Sequence, residues 1–196
     1  MTARTSKIER KTKETTIELE LSLEGMGQVQ TATGVGFLDH MLDHVGRHGR
    51  LDITLKATGD LHVDAHHTVE DVGICLGRAL SEAVGDKRGI GRYGTATTPM
   101  EDALAQVSLD LSGRPYVVFN ADFPSDKIGA FDVELVEEFC RALANNAKMN
   151  LHVNVPYGNN NHHIAEAIFK ALGQALCQAV AIVDPDGEIP STKGTL

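Results

Sequence analysis

His66-His67-Thr68-Val69-Glu70-Asp71, with Cys75-Leu76-Gly77-Arg78-Ala79-Leu80 downstream, returns 96 residues later. The second copy reads His162-His163-Ile164-Ala165-Glu166-Ala167, with Ala171-Leu172-Gly173-Gln174-Ala175-Leu176 after it. Both histidines, the glutamate and the Leu, Gly, Ala and Leu positions coincide, and self-similarity over such a distance marks a duplicated structural unit. Upstream, Arg50-Leu51 lies ten residues after His40 and Lys148-Met149 lies ten after Glu138, which makes His40 and Glu138 equivalent. Each of these pairs precedes a strand, expected at Leu51 to Leu55 and at Met149 to Val153. The chain therefore reads as two copies of a strand, strand, helix, strand, strand, helix unit. The expected fold is α+β, one domain of two repeats (about 8–93 and 94–186) around one pseudo-twofold core, with a tail at 187–196.

Periodicity fills in the elements. Apolar residues three and four apart predict helices over Thr68–Val84, Phe131–Ala147 and Ile164–Val183, and a shorter one over Phe37–Arg47. Alternation predicts half-buried strands at Thr16–Leu23 and Val107–Gly113. Gly85-Asp86-Lys87-Arg88-Gly89-Ile90-Gly91 breaks the chain near its middle.

The composition excludes several classes. Eighteen basic and 27 acidic residues give a formal charge of −9, which argues against non-specific nucleic-acid binding, since that needs a basic face. No apolar run reaches about 18 residues, so no membrane span is expected. Met1 to Glu14 is charged and has no secretion-signal core. Cys75, Cys140 and Cys177 form no Cys-x-x-Cys pair and read as buried thiols of a cytoplasmic protein.

Nine histidines, many of them clustered, are the anomaly. Residues four apart share a helix face, so His66 pairs with Glu70 and His162 with Glu166. His67 and His163 turn roughly 100° away. A chelating pair plus a ligand aimed elsewhere suits two metal ions better than one, and imidazole with carboxylate fits Mn, Fe, Co, Ni or Zn. His40 and its repeat partner Glu138 bring the set to five histidines and three glutamates, four groups for each of two ions. His44 and His48 follow His40 by one and two turns, where they either line the same site or face solvent. His62 and His152 fall in strand contexts and read as structural.

Cations beside glycines and hydroxyls form a second group: Arg92 after Gly89-Ile90-Gly91, Arg114 after Ser112-Gly113, Lys170 on the face of Glu166, and Ser191-Thr192-Lys193-Gly194. Guanidinium, ammonium and hydroxyl donors of this kind suit a phosphate. There is no Walker A loop and no Rossmann glycine fingerprint, so a nucleotide has no support.

Six stretches together resemble the imidazoleglycerol-phosphate dehydratase family of histidine biosynthesis. They are Arg10-Lys11-Thr12-Lys13-Glu14-Thr15, Gly36-Phe37-Leu38-Asp39-His40-Met41-Leu42, Ala57-Thr58-Gly59-Asp60 leading to the first double histidine, Asp110-Leu111-Ser112-Gly113-Arg114-Pro115-Tyr116, the second double histidine, and Pro190-Ser191-Thr192-Lys193-Gly194. The resemblance implies a duplicated fold like the second domain of ribosomal protein S5. It also implies two manganese ions per active site and sites shared between subunits of a 24-subunit shell assembled by metal. It places metal ligands on His40, His66, His67, Glu70, His162, His163 and Glu166. The eighth ligand, histidine in several members, falls on Glu138. Substrate contacts fall on Glu14, His40, His48, Arg92, Arg114, Lys170, Ser191, Thr192 and Lys193, and His44 lies in the same segment.

The implied reaction takes the hydroxyl from the carbon attached to the imidazole ring and a proton from the next carbon. Metal on the ring nitrogens makes the ring an electron source that expels the hydroxyl, and the resulting enol tautomerises to imidazole acetol phosphate. Glu14 is the first acid/base candidate, with the metal-ligand carboxylates such as Glu70 and Glu166 as rivals, and His67 and His163 stand with them among the expected catalytic residues. Two other readings use the same residues: a dinuclear phosphoester hydrolase, which is usually richer in aspartate, and a non-catalytic metal-binding shell, which leaves the basic group without a purpose.

Overall fold

The computed structural model describes residues 3–196. Alternation builds its first hairpin: β1 (Thr5–Lys11) runs antiparallel to β2 (Thr15–Ser22), from Thr5 opposite Ser22 to Lys11 opposite Thr16. Ile17, Leu19 and Leu21 of β2 turn inward while Glu18 and Glu20 stay in water, as the two-residue period of a strand requires. β3 (Val29–Ala32), α1 (Gly36–Gly49), β4 (Asp52–Gly59) and α2 (His66–Val84) complete the half. β3 and β4 are parallel, so α1 serves as their crossover. The sheet order is β1-β2-β4-β3.

The second half repeats this plan. β5 (Tyr93–Met100) pairs with β6 (Ala103–Asp110), and β7 (Tyr116–Asn120) and a small hairpin of β8 (Lys127–Ile128) and β9 (Phe131–Asp132) follow. α3 (Glu134–Ala147), β10 (Asn150–Tyr157) and α4 (Asn161–Val180) end the half, and its sheet order is β5-β6-β10-β7. Arg50 and Lys148, the paired landmarks of the sequence, are both left-handed C-caps, at φ 54° and 53°, closing α1 and α3. A residue in this conformation ends a helix by returning its N–H to the last turn.

The elements depart from the expected ones in order and in bounds. Each half runs strand, strand, strand, helix, strand, helix, with the small β8–β9 hairpin added before α3 in the second, because β3 and β7 are edge strands laid down before the crossover helix. α3 starts at Glu134 because Phe131 and Asp132 pair with Ile128 and Lys127. α4 ends at Val180, where Ile182 leaves to bridge Ile90. His62 lies in the exposed turn after β4, not in a strand, whereas His152 is in β10. Cys75 and Cys140 are buried, and burial raises their thiols to about 11 and about 12, but Cys177 is only half-buried.

The helices exchange partners between halves. α1 packs on α4 and α2 on α3, while α2 lies on the β1–β2 hairpin and α4 on β5 and β6. One continuous apolar cluster joins both halves. The helix pairs approach through equivalent glycines. A Cβ on Gly173 of α4 would stand 2.7 Å from the Val45 carbonyl oxygen and 3.0 Å from the Gly49 nitrogen. One on Gly77 of α2 would stand 2.8 Å from the Asn146 Cβ and 2.9 Å from the Ala147 nitrogen. No helix among the described residues is long and apolar enough to cross a membrane.

Gly173→Val is therefore expected to force α1 off α4 and cost about 1–3 kcal/mol, the usual range for overpacking. A lowered midpoint of thermal unfolding checks this, and an unchanged midpoint contradicts the close approach.

Candidate active site

The α1–α4 contact has a polar end. Asn160 caps α4, its side chain accepting from the backbone N–H groups of His162 and His163, so both rings leave the first turn at fixed angles. The Nε2 atoms of His40 and His162 both lie 2.9 Å from Oε1 of Glu166. One ligand atom from each of these three residues falls within 4.8 Å of the others, the one such trio among the described residues. The expected i, i+4 pairing of His162 with Glu166 is present, and the third member comes from the other repeat. Phe37 seals the flank, its ring edge-on to His162 at 5.3 Å between centroids.

Glu166 is buried, its side chain 8% exposed, and is surrounded by donors. Lys170 Nζ lies 2.6 Å from its Oε2, and His44 Nε2 lies 3.4 Å from the same oxygen. Burial alone would raise this carboxyl, but the hydrogen bonds from Lys170, His40 and His162 outweigh it and hold the group well below the usual carboxylate range. Burial pushes His44 down, and its Nε2 is a buried nitrogen without a hydrogen-bond partner of good geometry. The rings of His40, His44 and His48 form a row along α1, with centroids 4.5 and 5.8 Å apart. His44 is thus enclosed, while His48 at the end of the row is exposed. Two imidazoles, a carboxylate and an unpartnered imidazole nitrogen beside them fit a divalent ion of intermediate hardness.

The corresponding groups of the other helix pair are less closely gathered. Glu70 and Glu138 are half-buried, and with His66 they do not form a tight trio in the described residues. Glu138 nevertheless occupies on α3 the place of His40 on α1. Gly73 of α2 meets Ala142 of α3, one turn beyond Glu138. His67 Nδ1 lies 3.0 and 3.2 Å from the two carboxylate oxygens of Asp60, which raises the ring's pKa, and its Nε2 is 3.9 Å from Glu14 Oε1. Glu14 sits at the exposed tip of the β1–β2 hairpin. That hairpin is tied to α2 by buried Asp71, which accepts from Arg10 at 2.9 and 2.7 Å and from the Thr15 hydroxyl. The Arg10 to Thr15 motif thus positions Glu14.

His163 is held in a related way. Its Nδ1 meets Asp102 Oδ1, while Asp102 Oδ2 accepts the backbone N–H groups of Asn159 and Asn160 at 2.6 and 3.1 Å. The hydrogen bonds from His163 and then from Asn159 lower the Asp102 carboxyl to about 2. Asp102 belongs to no motif in the sequence, and Asp60 appears there only as the end of the Ala57–Asp60 stretch, where nothing marks it as the partner of His67.

The basic residues gather elsewhere. Arg92, Arg114, Ser191, Thr192 and Lys193 line one cleft of about 620 Å³. Part of the Arg92 guanidinium is committed: Nε and Nη2 bind the Asp110 carboxylate at 2.7 and 3.1 Å, and Nη1 binds the Pro190 carbonyl at 2.7 Å. Two N–H groups remain for a ligand. Lys170 is separate from this cleft and lies beside the trio. The Arg92 backbone N–H bonds to the Ala179 carbonyl near the far end of α4, roughly 20 Å along the helix from Glu166 at 1.5 Å per residue, so Arg92 enters the cleft from the end of α4 remote from the trio.

A family model described as imidazoleglycerol-phosphate dehydratase matches residues 33–176, well over half of the chain. The chain belongs to the imidazoleglycerol-phosphate dehydratase family. The dehydratase of Rhodopseudomonas palustris is 58% identical over 195 residues, 98% of each chain. That of Geobacillus kaustophilus is 57% identical over 194 residues, 99% of this chain and all of the other. Solved structures agree at the level of the fold. The Staphylococcus aureus dehydratase superposes with a TM-score of 0.83 at 41% identity, covering 91% of this chain and 99% of that one. The Pyrococcus furiosus dehydratase, solved in complex with (S)-C348, gives 0.83 at 39% identity, covering 96% and 100%. The duplicated fold expected from the sequence is the one these dehydratases have. The activity is that of a hydro-lyase of histidine biosynthesis, which converts imidazole glycerol phosphate to imidazole acetol phosphate.

Because Glu166 is shared by two histidines, Glu166→Gln is expected to lower the metal bound per chain at saturation while leaving the far-ultraviolet dichroism intact. Metal analysis after desalting checks this, and unchanged content contradicts the trio as a metal site.

Proposed function

We propose that this dehydratase works with two manganese ions per active site, and that the active site is assembled from more than one copy of the chain. The reading of the first ion rests on the trio of His40, His162 and Glu166. Repeat equivalence points to Glu138, His66 and Glu70 as the matching set for the second. His67 and His163 complete the four-group sets, each with its ring nearly perpendicular to that of its neighbour, at 89° and 82°. Supporting the shared site is the length of α4, roughly 20 Å, between Glu166 and the end from which Arg92 enters the phosphate-type cleft. A substrate made of one imidazole ring, three carbons and a phosphate is too short to reach both on one chain. A neighbouring copy therefore supplies the cleft, which accords with a 24-subunit shell assembled by metal. The boundaries of the two repeats (about 8–93 and 94–186, with the tail at 187–196) and a cytoplasmic setting belong to the same reading.

When bound, a divalent ion supplies Lewis-acid stabilisation of negative charge on the imidazole ring. The chain's own groups do the rest. Arg92, Arg114, Ser191, Thr192 and Lys193 clamp the phosphate, and Lys170 and His48 contact the substrate from the trio's side. Holding both ends of a flexible chain fixes the dihedral angle between the departing hydroxyl and the departing proton, which is where orientation lowers the barrier. Glu14, on a tip anchored through Asp71, takes the proton from the carbon next to the one that loses hydroxyl. The C–O and C–H bonds break, water leaves, and the enol takes a proton on carbon to become the ketone.

Stripping the enzyme with a chelator and restoring Mn²⁺ tests the cofactor and the assembly together. Loss and recovery of turnover, in step with a fall and rise in mass by light scattering, is expected. Full activity without bound metal contradicts the reading. Glu138→His is expected to keep both metal content and turnover while Glu138→Ala loses them, and equal behaviour of the two variants removes Glu138 from the ligand set.

A further inference from the structure

The strand registers fix which residues of the two halves are equivalent. Ser22 faces Asp52 as Asp110 faces Asn150, and Thr5 faces Ser22 as Tyr93 faces Asp110. Counting to the hairpin tips, Glu14 corresponds to Asp102. The bulge in β10 between Asn154 and Tyr157 shifts the other strand by one, so that Gly59 matches Gly158 and Asp60 matches Asn159. The second histidine of each double-histidine motif thus has two neighbouring places from which a carboxylate can reach it, a hairpin tip and the loop before its helix. The halves use different ones. In the second half the tip residue Asp102 holds His163, and the loop residue Asn159 supports Asp102 through its backbone. In the first half the loop residue Asp60 holds His67, and the tip residue Glu14 lies on the opposite, Nε2 side of the ring.

An ionised carboxylate only accepts hydrogen bonds, so the nitrogen that faces it carries the hydrogen. In a neutral ring the other nitrogen is then a bare donor to metal. We propose that Asp60 and Asp102 are positioning residues that fix the Nδ1–H form of His67 and His163 and present Nε2 to the metal ions, and that Asp60, by doing this work in the first half, leaves Glu14 free for proton transfer. The inference rests on the reading of His67 and His163 as metal ligands. It accounts for the same hairpin position serving as a ring holder in one half and as a reacting group in the other. It also explains two carboxylates at non-equivalent positions performing one task, an arrangement that simple inheritance from a duplicated ancestor does not produce.

The test uses the full-length enzyme, stripped of metal and titrated with Mn²⁺ by calorimetry and by the loss of the free-ion paramagnetic resonance signal. Asp102→Ala and Asp60→Ala are expected to weaken Mn²⁺ binding by about 10–100-fold, the usual effect of removing a carboxylate behind a histidine ligand. Asp102→Asn and Asp60→Asn, which preserve shape and one acceptor oxygen, are expected to fall between these and wild type. Glu14→Gln is expected to keep wild-type Mn²⁺ affinity while losing turnover. In the metal-free protein at pH 8, with ¹⁵N-labelled imidazoles, His67 and His163 are expected to show hydrogen on Nδ1, and the Ala variants to lose that preference. A merely structural aspartate would not move this signature. Unchanged affinity in the aspartate variants, or hydrogen on Nε2 in the wild type, overturns the proposal. His163→Ala separates the two levels. If it loses metal while Asp102→Ala does not, only the positioning role fails, and if it binds metal like wild type, the ligand reading fails with it.

Discussion

The Glu166 carboxylate sits between helices from opposite halves of the chain, and much of the molecule is arranged to keep it there. A buried carboxylate is costly unless hydrogen-bonded and paired, and this one receives His40, His162 and Lys170, with His44 close by. His162 and Lys170 reach it from one turn either side on α4, whereas His40 and His44 arrive because α1 crosses onto α4, where Gly173 lets backbone approach backbone. The apolar cluster that runs through both repeats supplies the driving force, and the polar end of the helix pair is what it positions.

The same exchange of helices explains how a duplicated chain makes a site with two differentiated ends. Each repeat contributes a double-histidine helix and a shorter helix, and each short helix packs against the other repeat's double-histidine helix. Symmetry is kept in the sheets, in the left-handed caps at Arg50 and Lys148, and in the glycine contacts. It is broken in residue identity at His40 against Glu138, Glu14 against Asp102, and Asp60 against Asn159. The cleft around Arg92 and Lys193 and the trio around Glu166 lie at separate places on the chain.

Much of this was legible in the sequence because it depends on local spacing. The i, i+4 step from His162 to Glu166 and the alternation in Thr16–Leu23 follow from helix and strand periods, the 96-residue offset follows from duplication of the unit, and the structure contains each. What the sequence concealed depends on register and loop length. The bonds from Asp60 to His67 and from Asp102 to His163 cross between elements, and the hairpin tips match at an offset that differs from that of the helices. β3 and β7 are short edge strands, Val29-Gln30-Thr31-Ala32 and Tyr116-Val117-Val118-Phe119-Asn120, that do not alternate apolar with polar residues, so periodicity alone places one strand too few before the first helix of each half. The commitment of Arg92 to Asp110 and Pro190 was hidden for a similar reason, since Pro190 lies 98 residues away in sequence.

The claim that one substrate is held by groups from different copies of the chain is open to a direct measurement. Glu166→Gln disables the trio and Lys193→Ala disables the cleft, so each variant alone has little or no turnover. The two are mixed after metal removal, reassembled with Mn²⁺, and assayed for imidazole acetol phosphate. If the trio and the cleft of one active site come from different chains, some sites in the mixture receive an intact trio from one variant and an intact cleft from the other. Activity then reappears in proportion to the product of the two mole fractions. If both belong to a single chain, no mixed site is whole, and a mixture that stays as inactive as its components contradicts the account.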